Sequence, residues 1–116
     1  MKANIKSVDL GGVCNVEGFT PEDPYCFSIW LVCVIGAENS AGGDCFRVNV
    51  CTPSWLQAAA KMPTWGRHML IVNKYDFPQI RQTIEKALLE IDAPDWDGVA
   101  RKVSKVMEWE FEDYVN

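Results

Sequence analysis

The period of apolar and polar positions changes several times along the chain, and each change predicts an element. Lys2 to Asp9 alternates weakly, with Ala3, Ile5 and Ser7 on one side, and predicts a first strand at a sheet edge that Gly11 and Gly12 end. Val13 to Pro24 is acidic and turn-forming, and Pro21 and Pro24 stiffen the loop around Glu22 and Asp23. Tyr25 to Ile35 carries apolar residues at both parities, which predicts a central strand covered on both faces. Gly36 to Asp44 has the composition of a hairpin loop, and Cys45 to Cys51 alternates, with Phe46, Val48 and Val50 set against Arg47 and Asn49. These two strands are expected to pair antiparallel.

Helix signals follow. Thr52 can cap a short helix that starts at Pro53 and ends before Pro63, Thr64-Trp65-Gly66 turns the chain, and Arg67 to Val72 predicts a further strand. Asp76 with Gln79 forms a capping box for a helix whose stripe is Phe77, Ile80, Ile84, Ala87, Leu88 and Ile91. Asp95 caps a last helix striped by Trp96, Val99, Ala100, Val103, Val106 and Met107, predicted to run to about Glu108. This order predicts an α+β fold over residues 1–116 as one domain: a single antiparallel β-sheet with two or three helices packed on one face.

Composition narrows the function. With 48% hydrophobic residues the 116-residue chain is an ordinary globule, and its net charge of −5 opposes capture by nucleic acid or anionic lipid. That charge is segregated: residues 1–45 sum to −4, residues 46–105 to +3 and residues 106–116 to −4. An acidic face forms if the two ends meet. The longest apolar run, Tyr25 to Ile35, is shorter than the span of about 20 residues a membrane needs, and Met1 to Gly12 is not a signal peptide, so a cytoplasmic protein without membrane contact is expected. Cys14, Cys26, Cys33, Cys45 and Cys51, odd in number, read as reduced, mostly buried small hydrophobes.

Catalytic candidates are few. The one histidine, His68, falls in a predicted strand at the parity of Leu70 and Val72, which favours a hydrogen-bonded structural role. No cysteine is marked as an activated nucleophile, and the cysteines lack the close pairing of zinc ligands. Gly42-Gly43 is not followed by the Gly-Lys-Ser/Thr of a phosphate loop. Neither a cofactor nor a metal is expected. The competing reading is a small enzyme or metabolite-binding domain that uses His68 and a cysteine in a pocket.

The C-terminus is the least ordinary segment. In Glu108-Trp109-Glu110-Phe111-Glu112-Asp113-Tyr114 acids alternate with aromatics, so an extended tail would set Glu108, Glu110 and Glu112 on one side and Trp109 and Phe111 on the other. Its bland reading is aromatics anchored in the core and acids in water. Its functional reading is a comb of carboxylates for a basic partner, with Trp109 and Tyr114 as aromatic anchors and Glu17, Glu22 and Asp23 as a second acidic contact.

Four segments, Val50-Cys51-Thr52-Pro53-Ser54-Trp55-Leu56, Gly66-Arg67-His68-Met69-Leu70-Ile71-Val72, Tyr75-Asp76-Phe77 and Trp109-Glu110-Phe111-Glu112-Asp113-Tyr114, together resemble the immunity protein 8 family of bacterial polymorphic toxin systems. In those segments Trp55 and Phe77 look like core and Gly66 like a turn. The resemblance implies a non-catalytic protein that binds a cognate toxin domain, and it assigns no site residue. Should the toxin be a nuclease, its basic groove would suit a carboxylate-lined inhibitor. Pairing with a second copy, through a strand edge or the last helix, is left open by the sequence.

Overall fold

A computed structural model describes residues 1–10, 16 and 18–112. Among them five strands and three helices follow one another: β1 (Ala3–Asp9), β2 (Ser28–Ala37), β3 (Asp44–Cys51), α1 (Pro53–Ala59), β4 (Met69–Ile71), α2 (Phe77–Leu89), α3 (Trp96–Val103) and β5 (Glu108–Trp109). The α+β expectation holds. The sheet order is β1-β2-β3-β4, and β5 pairs with β3. Strands β1, β2, β3 and β5 pair antiparallel, whereas β4 runs parallel to β3, with Asn49 opposite Met69 and Cys51 opposite Ile71. The sheet is therefore mixed. The departure from a purely antiparallel sheet arises because the chain crosses over through α1 before pairing again.

All three predicted caps form. Thr52, Asp76 and Asp95 accept at their side-chain oxygens from the backbone N–H groups of Trp55, Gln79 and Gly98. Helix α2 buries Phe77, Ile80, Ile84 and Leu88, and α3 buries Val99, Ala100 and Val103. Both stripes join Leu31, Cys33 and Ile35 of β2 and Phe46, Val48 and Val50 of β3 in one core. Helix α1 buries nothing, so two helices cover the sheet; Trp55, expected in the core, is only half-buried. Helix α3 stops at Val103 rather than near Glu108: Val106 is exposed, while Met107 returns to the core.

Two strand expectations need correction. Strand β2 begins at Ser28, because Tyr25 and Cys26 lie exposed in a turn closed by Cys26 N–H donating to the Asp23 carbonyl at 3.2 Å. It is central but covered on one face: Leu31, Cys33 and Ile35 are buried, whereas Val32 and Val34 are half-buried and Trp30 is 43% exposed. Apolar residues at both parities do not distinguish a second covering layer from an open apolar face. In the hairpin between β2 and β3 a Cβ on Gly36 would run into the Gly42 carbonyl oxygen and one on Gly43 into the Ile35 carbonyl, so glycine permits the close crossing.

Candidate functional site

The open face of the sheet is built by residue parity. Asp9 pairs with Val32, Val32 with Arg47 and Arg47 with Glu108, which lines up one row across four strands. In the next row Ser7 pairs with Val34 and Val34 with Cys45, and Glu110 N–H donates to the Cys45 carbonyl at 3.1 Å. Alternation sends these side chains away from the helices. Arg47 bonds Glu108 at 3.0 Å, and its guanidinium carbon lies 4.6 Å from the Trp30 ring centroid, one diagonal step across the strands.

Carboxylates from distant parts of the chain act on Cys45. The Cys45 thiol is pushed up, first by loss of water, then by a hydrogen bond to Glu110 and by the charges of Glu110, Asp9 and Asp44. Asp9 and Asp44 were not among the acids that the sequence singled out. Both lie at strand ends, where their position opposite the tail depends on long-range pairing. Asp44 also holds the tail in place: its Oδ2 accepts from Nε1 of Trp96 at 2.9 Å and of Trp109 at 3.0 Å.

The tail is extended only over Glu108–Trp109 and then turns, with Glu112 N–H donating to the Trp109 carbonyl at 3.0 Å, so the comb of three parallel carboxylates does not form. Trp109 is 9% exposed and stacks on Phe46 at 6.2 Å, which makes it a core residue rather than an accessible anchor. Glu108 is matched by Arg47. Glu112, with its side chain 16% exposed, takes Arg67 at 2.6 Å and lies 3.4 Å from His68 Nε2. Glu110 is exposed and has no ion-pair partner among the described residues. Two of the three tail glutamates are thus matched by arginines distant in sequence.

Glu22 and Asp23 are exposed, and Asp23 Oδ1 accepts from Tyr25 N–H at 2.9 Å. Their loop is fastened to the far end of β3, where Phe27 and Thr52 exchange backbone and side-chain hydrogen bonds and Ser54 Oγ donates to the Tyr25 carbonyl at 2.6 Å. From Cys45 to Cys51 the strand spans about 20 Å, so the loop and Glu110 lie at opposite ends of it. Glu17, Asp113 and Tyr114 lie outside the described residues.

His68 is not a strand residue. It takes a left-handed conformation, φ 58°, just before β4, and Nε2 lies 3.0 Å from the Ser104 carbonyl. Among the described residues the imidazole's polar neighbours are thus the Ser104 carbonyl and the Glu112 carboxylate, not a thiol. Cys33 and Cys51 are buried as expected, whereas Cys26 and Cys45 are exposed because they sit in a turn and on the open face. Burial pushes the Cys33 thiol up to about 12 and raises that of Cys51, the opposite of nucleophile activation. Gly66 stands just ahead of the turn at Arg67 and His68 that leads into β4.

The family model described as Immunity protein 8 matches residues 3–114. The chain belongs to the immunity protein 8 family. The chain has no significant match among curated proteins or solved structures. Membership in the immunity protein 8 family points to an immunity protein against a toxin, with a toxin as binding partner and a non-enzymatic role. Among the described residues no helix is long and apolar enough to cross a membrane.

Proposed function

We propose that this immunity protein binds a cognate toxin and occludes its active site with the acidic end of the open sheet face. The carrying observation is the family match over residues 3–114. The geometry supports where contact is made: Glu110 stands exposed beside Cys45, with Asp9 acting on the same thiol, Glu108 paired to Arg47 on the same face and Trp30 as accessible aromatic area, while Glu112 follows in the tail, bound to Arg67. Asp113 and Tyr114 extend the same tail. Glu22 and Asp23 form a second contact at the other end of the sheet, and Glu17, outside the described residues, belongs to the same toxin contact in this reading.

A nuclease fits this surface best among toxins, because its substrate groove must be basic to hold phosphates, and carboxylates oppose that charge and steer association. Trp109 contributes by fixing the tail rather than by touching the partner. The protein acts in the cytoplasm, where it meets the toxin before the toxin meets its substrate. Co-expression tests the reading: the toxin alone arrests growth, the pair grows, and the two chains purify together. Arrest despite soluble immunity protein, with no co-purification, would sink it.

A further inference from the structure

From Pro53 to Arg67 no residue is buried. This arm links the parallel strands β3 and β4, where a crossover helix ordinarily packs on the sheet, yet α1 has no buried residue. Its middle displays the most exposed large apolar side chains among the described residues, Trp65 at 93% and Met62 at 77%. Both ends are nonetheless held. At the start, buried Thr52 accepts from Phe27 N–H at 3.1 Å and caps α1. At the finish, Arg67 bonds Glu112 at 2.6 Å and His68 bonds toward Ser104.

We propose that this arm is the apolar anchor of the toxin interface, with Trp65 and Met62 seated in an apolar recess of the toxin whose rim is acidic. The inference rests on the functional reading above and adds a contact that is independent of the acidic steering surface. Three observations choose the toxin as occupant. An indole exposed this far loses most by staying in water, and Trp is the residue that most often anchors protein interfaces. The arm carries Lys61 and Arg67 and no acid, and Glu112 already matches Arg67, so Lys61 is the charge offered to a partner and calls for a carboxylate opposite. The Arg67 to Glu112 pair also joins the arm's end to the acidic tail, which makes anchor and steering surface continuous. Because both ends are tethered, seating the indole orders little that is not ordered already.

The test uses the full chain and purified toxin. Trp65→Ala is expected to weaken binding about 100-fold, mostly through faster dissociation and with no change in salt dependence. Its urea midpoint should match that of the unchanged chain, since the ring packs on nothing in the fold. Lys61→Glu is expected to weaken binding about tenfold. Binding by Trp65→Ala as tight as by the unchanged chain would overturn the inference and leave the functional reading standing. So would a concentration-dependent dimer that Trp65→Ala abolishes while toxin affinity holds, because the occupant would then be a second copy. Failure of the unchanged chain to bind toxin would overturn both.

Discussion

Replacing Asp44 by alanine should loosen the whole end of the sheet that carries the acidic tail. One carboxylate oxygen accepts from two indoles, Trp96 of α3 at 2.9 Å and Trp109 of β5 at 3.0 Å. Both rings lean on Phe46, Trp109 stacked with an interplanar angle of 11° and Trp96 edge-on at 82°. A hydrogen bond to a charged acceptor contributes about 1.5–3 kcal/mol, and these two share one oxygen at a half-buried site that water can partly reach. Asp44→Ala is therefore expected to cost about 2–4 kcal/mol, a fall of about 8–16 °C in Tm for a domain of this size. Asp44→Asn keeps an acceptor without the charge and should cost about half as much. Urea unfolding followed by tryptophan fluorescence gives the free energies. Trp109→Phe, which keeps the stacking and loses the N–H, should be costly in the unchanged chain and nearly free once Asp44 is alanine. A loss below about 0.5 kcal/mol for Asp44→Ala would refute the clamp.

Gly36→Ala forces the hairpin backbone apart at the Gly42 carbonyl and should cost about 2–3 kcal/mol in urea unfolding, whereas Gly42→Ala, which meets open space, should cost far less. Asp76→Ala removes the α2 cap and should cost about 1 kcal/mol by the same assay. Cys33 keeps its proton to about 12 in the fold against 9.0 unfolded, so the unfolded chain binds fewer protons between those values. Its contribution is fully present below pH 9 and is lost as pH rises toward 12; Cys33→Ala should flatten this loss in urea midpoints measured from pH 8 upward.

What was legible in the sequence was local. Thr52, Asp76 and Asp95 cap helices because each bonds a backbone N–H three residues on, and the stripes of α2 and α3 need only the helical period. The alternation at Phe46, Val48 and Val50 reports one buried face directly. The remainder depends on partners far along the chain. Glu108 meets Arg47 and Glu112 meets Arg67 only after β5 and β4 have both settled on the same edge of β3, so the tail read as an unpaired comb. Trp109 is taken into the core by Asp44, sixty-five residues earlier. The exposed Trp65 did leave a trace: an indole between Pro63 and Gly66, with Pro63 and Arg67 rather than apolar partners at strand spacing on either side.

Association kinetics between the immunity protein and its toxin, followed across ionic strength, bear on the toxin-binding claim with the fewest intervening assumptions. Glu110→Lys is the informative variant, since reversing Glu112 would strand Arg67 and His68 and confuse binding with folding. The unchanged chain should bind with an association rate that falls steeply with salt, and Glu110→Lys should slow it about tenfold at low salt, with the difference shrinking at high salt. A rate indifferent to both salt and Glu110→Lys would contradict the acidic surface, and no binding at all would contradict the toxin as partner.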